Sequence, residues 1–150
     1  MTQFYVGVKI VEAWPEDKRE GPTDMIRAGY AVKYPDGYVS WSPKQEFEAA
    51  YLPMGLDPSK VSEKMVNGFI REVHAHGLED GKTVFMAADL ITGFTQYETS
   101  SCVDPINFDH EVGREICLKR VRDTLWKCLG FVVQWGRFGL RGEREADHGE

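Results

Sequence analysis

The sequence predicts an α+β protein in which antiparallel β-hairpins pack against two or three helices. Glycine-containing turns at Asp36-Gly37 and Thr92-Gly93, each between runs of alternating apolar residues, predict the hairpins. Apolar residues three and four positions apart over residues 107–140 predict a long C-terminal helix. These patterns divide the chain into a hairpin and helix module (1–54), a helix–hairpin–long helix domain (55–140) and a disordered tail (141–150).

The composition is that of a packed globular protein of 150 residues, 42% hydrophobic and 12% aromatic. The formal net charge of -6 argues against a broadly basic surface for nucleic acid. Three cysteines without C-x-x-C spacing predict reduced, buried thiols, as is typical of a cytosolic protein. No signal peptide is predicted, because Met1 is not followed by a basic segment and then an apolar run. No membrane helix is predicted, because no apolar run approaches the ~20 residues that span a bilayer.

The N-terminal module is predicted to contain a strand, a loop, a hairpin and a short helix, in that order. Alternating apolar residues predict a half-buried strand over residues 4–11, and the charged residues 16–24 predict an exposed loop. Ser42 is predicted to cap the short helix after the hairpin, and Pro53 to end it.

Both hairpins are predicted to turn through two residues. In the first, the turn at Asp36-Gly37 places Tyr34 opposite Val39 and puts Tyr38 on the other face. In the second, the turn at Thr92-Gly93 places Tyr97 on the face of Ala88, which is expected to pack on the long helix.

Two further helices are predicted in the C-terminal domain. The first covers residues 58–77, begins after Asp57 and buries a stripe made of Val61, Met65, Phe69 and Val73. The second is the long helix, for which Asn107 is the predicted N-cap. Its predicted buried face comprises Val112, Ile116, Val121, Leu125, Cys128, Val132 and Trp135.

Residues 61–133 resemble a small phage accessory family named after proteins of phages N4 and Sf6. The resemblance rests on Ser101-Cys102-Val103, Asn107-Phe108-Asp109-x-Glu111-x-Gly113-Arg114, Leu125-Trp126 and Leu129-Gly130. The usual Asn-Gly hairpin turn of that family is Thr92-Gly93 here, and its Glu-Gly near the helix end is Leu129-Gly130. The resemblance implies the fold order but supplies no catalytic residue.

The N-terminal residues are similar to a module that precedes varied domains in phage proteins. The similarity rests on Tyr5-Val6-Gly7-x-Lys9 and on the segment from Gly29-Tyr30 through Asp36-Gly37-Tyr38 to Trp41-Ser42-Pro43-Lys44. Some proteins with this module resemble the Thoeris anti-defence class, which sequesters nucleotide second messengers. The two resemblances together imply a phage-encoded protein that acts in the host cell cytoplasm.

The predicted function is non-enzymatic: the protein binds and inhibits a host antiviral defence protein. Tyr38 and Trp135 are the candidate aromatic anchors, and the candidate charged rim is Arg120, Arg122 and Arg137. Apolar residues on more than one side of the long helix also predict a homodimer.

Two alternatives remain open. The first is a sponge that sequesters a nucleotide signal of host immunity, with the basic residues of the long helix holding phosphate. The second is a small metal-dependent hydrolase that uses His74-x-His76 with Glu79 and Asp80. These two histidines would point about 200° apart on a continued helix, so neither a metal nor another cofactor is predicted. Cys102 is a candidate nucleophile in principle, but a small buried thiol is the favoured interpretation.

Overall fold

The computed structural model describes residues 1–141, and within them the chain forms eight strands and three helices. The strands are β1 (Glu12–Pro15), β2 (Lys18–Glu20), β3 (Met25–Arg27), β4 (Gly29–Lys33), β5 (Val39–Pro43), β6 (Ile70–Gly77), β7 (Thr83–Leu90) and β8 (Thr95–Ser101). The helices are α1 (Lys44–Ala50), α2 (Glu63–Phe69) and α3 (His110–Phe138). The predicted α+β class, with antiparallel sheets and a long C-terminal helix, is confirmed. The predicted tail lies outside the described residues, except for Arg141.

The chain divides into two compact units. The first comprises residues 1–59 together with the described residues 132–141, and the second comprises residues 60–131. The predicted division at residues 54 and 140 stays a prediction.

In the first unit, β4 lies between β1 and β5, and β2 pairs with β3 in a separate two-stranded hairpin. Ala31 and Val32 on β4 are almost fully buried. Gly29, the first residue of this strand, leaves no room for a side chain, because a Cβ there would lie 2.3 Å from the Trp41 ring. The rings of Tyr30 and Phe47 stack at 4.4 Å, which packs α1 against β4.

Three N-terminal predictions are wrong. Residues 4–11 form no strand; Phe4 is fully exposed, and Val8 and Ile10 are half-buried against Gly136 of α3. The predicted loop at 16–24 contains β2 and the turn to β3. Ser42 belongs to β5 and does not cap α1, whose N-cap is Pro43 without a side-chain hydrogen bond.

Each large hairpin turns through three residues, so the predicted register is wrong by one position in both. In the first, Tyr34 lies opposite Tyr38, and the N–H of Gly37 donates to the carbonyl of Tyr34 at 2.9 Å. In the second, Asp89 pairs with Thr95. Gly37 and Gly93 take the third loop position with φ of 89° and 86°, the left-handed conformation that such loops require. A one-residue change moves every following side chain to the opposite face.

The second unit is built on a meander in which β7 lies between β6 and β8. The predicted helix over 58–77 is correct only at 63–69, where Ser62 caps α2 by accepting from the N–H of Met65. The remainder, residues 70–77, is β6 and pairs antiparallel with β7. A β-bulge at Arg71 separates the pairs Ile70–Leu90 and Glu72–Asp89.

α3 buries a face different from the predicted one. Its buried positions recur every four residues: Gly113, Cys117, Val121, Leu125, Leu129 and Val133. Val112, Ile116, Cys128 and Val132 are exposed and Trp135 is half-buried, so only Val121 and Leu125 of the predicted face are buried. The predicted N-cap is also wrong: Asn107 lies in a 3-10 turn (Pro105–Asn107), and Asp109 accepts from the N–H of Val112 at 3.1 Å.

Candidate functional site

The two faces of the β6–β7–β8 sheet have different surroundings. One face carries Val84, Met86, Ala88 and Leu90 of β7, all buried. α3 packs on this face: the thiol of Cys117 donates to the carbonyl of Val84 at 3.8 Å, and Gly113 lies directly against the Val84 side chain. This face of the sheet is therefore the core of the second unit.

The other face, here called the outer sheet face, carries the alternate residues of all three strands. Its members are Glu72, His74 and His76 on β6, Phe85, Ala87 and Asp89 on β7, and Thr95, Tyr97 and Thr99 on β8. The strand register arranges them in three cross-strand rows, because Phe85, Ala87 and Asp89 of β7 each pair with one residue of β6 and one residue of β8. None of these nine residues is fully buried.

A diagonal line of rings, here called the aromatic row, crosses the outer sheet face from His76 and Phe85 in one cross-strand row to Tyr97 in the next. The rings of His76 and Phe85 lie 5.3 Å apart, and those of Phe85 and Tyr97 lie 5.6 Å apart and are stacked. Tyr97 remains 62% exposed. The solvent side of an antiparallel sheet ordinarily carries polar residues, so an exposed tyrosine stacked on a half-buried phenylalanine is unusual for a face that only meets water.

A second group on this face contains a histidine and two carboxylates. His74 Nε2 lies 3.6 Å from Glu72 Oε2 and 3.6 Å from Asp89 Oδ2. The hydroxyl of Thr95 donates to Asp89 Oδ1 at 2.9 Å, which leaves Oδ2 directed at the histidine. Glu72, His74 and Asp89 offer ligand atoms within 4.8 Å of one another, a spacing that is compatible with a shared metal ion.

Asp80 was a candidate metal ligand together with His74 and His76, but in the structure its carboxylate stabilises a turn. It lies in the turn before β7, where Oδ1 accepts from the N–H groups of Lys82 and Thr83 at 3.0 Å each. The Thr83 hydroxyl donates to Oδ2 at 2.5 Å, and these hydrogen bonds lower the pKa of Asp80. The carboxylate therefore stabilises the turn and is not part of the outer sheet face.

Tyr38 lies in the first unit, on the loop that joins β4 to β5, and is 65% exposed. Contrary to prediction, it shares a face with Tyr34, and the two rings stack at 6.0 Å. The ammonium of Lys9 lies 4.4 Å from the centre of the Tyr34 ring. With Pro35 and Asp36 these residues line a surface recess of about 500 Å³.

The remaining predicted site residues are distributed over both units. Trp135 and Arg137 belong to the first unit; Trp135 is half-buried, and the Arg137 guanidinium lies over the Phe138 ring at 5.0 Å. Arg120 and Arg122 belong to the second unit, where Arg122 is exposed and Arg120 donates to the carbonyl of Thr99. Arg120 therefore satisfies an edge carbonyl of β8.

An apolar groove lies beside α3 in the second unit. It encloses about 500 Å³, and its apolar lining includes Phe69, Leu90, Phe94, Leu125 and Cys128. Cys128 is exposed and Cys102 is half-buried, so the prediction that all three cysteines are buried holds only for Cys117. The thiol of Cys102 donates to the carbonyl of Asp104, and no base contacts it among residues 1–141 in the hydrogen bonds of the structure.

The outer sheet face was not predicted from the sequence, because the second helix was expected to continue through residues 70–77, which instead form β6. A period-2 signal was present there: Val73 and Ala75 alternate with Glu72, His74 and His76. On a strand, side chains two positions apart share a face, so the two histidines point the same way and not 200° apart.

The fold and the site define a class of small α+β protein whose sheet is covered by a long helix on one face and carries exposed aromatic and ionisable groups on the other. Residues 61–135 match the phage protein (N4 Gp49/phage Sf6 gene 66) family, and the chain belongs to that family. The resemblance of the N-terminal module to anti-defence proteins is not part of this match and stays a prediction.

Comparison with curated proteins gives no match, and neither does comparison with solved structures. Among residues 1–141, none of the helices combines the length and apolar character that crossing a bilayer demands.

Proposed function

We propose that this phage-family protein is a non-enzymatic accessory protein that binds a host antiviral defence protein and inhibits it by occupancy in the host cytoplasm. The observation that carries the proposal is the aromatic row on the outer sheet face. Phe85 and Tyr97 form a stacked pair within the family-matched residues, and Tyr97 exposes most of its surface. Aromatic side chains concentrate the binding energy of protein interfaces.

The charge around this row favours a partner with a basic surface. Glu72 and Asp89 lie on the same face, two positions from His74 and Ala87 along their strands, and the whole chain carries a formal net charge of -6. Acidic groups at the edge of an interface mainly steer association and select against acidic partners. The proposed contact therefore has an aromatic centre and an acidic border.

The five binding residues predicted from the sequence remain proposals, and they are distributed over both units. Tyr38 has the exposure of a surface anchor, and Arg137 and Arg122 are exposed enough to contact a partner. Trp135 is half-buried and offers less surface, while Arg120 already donates to the main chain. Tyr38 is thus the best supported of the five.

A nucleotide sponge is the second candidate, and the recess of the first unit favours it. Tyr34 and Tyr38 provide stacked rings on which a base can lie, and Lys9 provides a cation for phosphate. Nucleotide absorbance that co-purifies with the protein and disappears in a Tyr38→Ala variant would support this candidate.

The test of host-protein binding begins with capture of a partner from host lysate and continues with the purified partner. Tyr97→Ala should weaken affinity by ~2 kcal/mol, roughly thirtyfold, if this residue is a hot spot. Phe94→Ala is the matched control, because Phe94 is 71% exposed on the same hairpin but lies in the turn and not on the outer sheet face.

Activity of the partner gives the second measurement. Inhibition by occupancy should be complete near one equivalent and should not increase with time. Equal affinities of the wild type, Tyr97→Ala and Phe94→Ala would contradict the proposed surface. Complete inhibition by a small fraction of an equivalent would mean turnover and would contradict the non-enzymatic proposal.

A further inference from the structure

We propose that Glu72, His74 and Asp89 form a binding site for a divalent transition-metal ion such as zinc on the outer sheet face. The proposal concerns the isolated protein and is tested without a host partner, although a bound ion would take up the charges of Glu72 and Asp89 that border the proposed protein contact. It rests on the spacing of the donor atoms, on the backbone irregularity that brings them together and on a hydrogen bond that orients one of them.

The donor spacing fits a metal ion better than a direct hydrogen bond. His74 Nε2 is 3.6 Å from each carboxylate oxygen, beyond the usual N–H···O range of ~2.7–3.2 Å. Two ligands at ~2.1 Å from a tetrahedral ion lie roughly 3.4 Å from each other. The three ligand atoms, all within 4.8 Å of one another, need only a small adjustment to surround one ion.

The bulge at Arg71 determines which residue of β6 lies opposite Asp89 and beside His74 on the outer sheet face. Ile70 pairs with Leu90, whose side chain is buried, and the extra residue lets Glu72 pair with Asp89 on the outer sheet face. A regular strand would have placed Arg71 opposite Asp89. Bulges commonly redirect a side chain in this manner beside functional sites.

A hydrogen bond outside the group supports the third ligand. The Thr95 hydroxyl donates to Asp89 Oδ1 and thereby fixes the carboxylate with Oδ2 toward His74. Such outer contacts orient ligands and typically change metal affinity 10–100-fold when they are removed. The side chains of Glu72 and His74 are 63% and 58% exposed, so water can complete the coordination and an ion can enter directly.

A ligand set of one imidazole nitrogen and two carboxylate oxygens suits zinc and other divalent transition metals. Imidazole favours the transition metals, whereas calcium and magnesium prefer oxygen donors alone. The ion would sit between two adjacent carboxylate groups and offset their charge on this face. Without an ion, a protonated imidazole between the carboxylates would form a simple ion pair, and metal titration separates these two states.

The test is calorimetric titration of the tag-free, chelator-treated full chain with Zn²⁺, repeated with Co²⁺ and followed by visible absorption. One equivalent should bind, and bound Co²⁺ should show the d–d bands of low coordination number. His74→Gln and Asp89→Asn should each weaken binding at least tenfold, and Thr95→Val about tenfold. Circular dichroism should show that every variant is folded.

His76→Gln and His110→Gln are the matched controls. His76 lies on the same strand and face but outside the three-residue group, and His110 lies at the start of α3. Both variants should bind as the wild type does. Wild-type binding no tighter than that of His74→Gln would overturn the proposal. Binding lost in His76→Gln but retained in Asp89→Asn would assign the metal to a two-histidine chelate and would overturn it as well.

Discussion

Gly113 offers the sharpest test of how α3 packs on the sheet. A Cβ at this position would lie 2.5 Å from Val84 Cγ2 and 3.1 Å from Val84 Cβ. Val84 is fully buried on the central strand of the sheet, and a β-branched side chain has little freedom to move away. Gly113→Ala should therefore force the helix and strand apart.

Two opposing effects determine the magnitude. Alanine improves helix propensity over glycine by ~1 kcal/mol, whereas an added methyl group in a tightly packed core costs ~1–3 kcal/mol. The net change for Gly113→Ala should be a loss of ~1 kcal/mol in the free energy of unfolding. The matched variant is Gly130→Ala on the same helix, where a Cβ would meet nothing within 4 Å and should add up to ~1 kcal/mol.

Urea unfolding measures the difference between these two variants, which should approach ~2 kcal/mol. A third variant separates packing from propensity: in a Val84→Ala background, Gly113→Ala should destabilise the protein much less, because the methyl group at 2.5 Å is gone and only the Cβ at 3.1 Å remains. If Gly113→Ala stabilises as much as Gly130→Ala does in the native background, then α3 does not approach β7 at this position.

Three further predictions follow from positions that the structure reassigns. Asp109→Ala should lower stability by ~1 kcal/mol in thermal or urea unfolding, and Asn107→Ala should change it much less, because Asp109 is the residue that caps α3; equal effects would contradict this. In native alkylation followed by mass spectrometry, Cys128 should react first, Cys102 more slowly, and Cys117 only after unfolding, since burial both shields it and raises its pKa. Sedimentation should show a concentration-dependent dimer, because α3 leaves apolar side chains exposed, among them Val112, Ile116, Trp126 and Val132. A monomer at every concentration would refute this prediction.

The hairpins show how far local sequence reasoning reaches. Asp36-Gly37 and Thr92-Gly93 predict both turns, because a glycine can take the positive φ that each loop requires. The number of loop residues depends on which pairing best satisfies the two strands, and that is a property of the sheet. One additional loop residue placed Tyr97 opposite Ala87 on the outer sheet face, and not on the α3 side with Ala88.

The second helix shows a limit of a different kind. Helical spacing predicts α2 correctly at Met65, which is buried, whereas the buried Val66 lies outside the predicted stripe. From Ile70 onward the same apolar residues also fit a strand, and only a neighbour can decide between the two. β7 provides that neighbour, since its hydrogen bonds satisfy the backbone of residues 70–77 from one side.

The sequence by itself determined the α+β class, the two hairpins, the length of α3 and the similarity to the phage family, because glycine turns, periodicity and motif spacing are local properties of the chain. Only the tertiary structure decided which side of α3 is buried, since this helix carries apolar residues on several sides and the sheet selects Cys117, Val121 and Leu125 by packing against them. The same holds for the outer sheet face. Glu72, His74 and Asp89 come from two strands, and strand pairing with one bulge brings their ligand atoms within 4.8 Å.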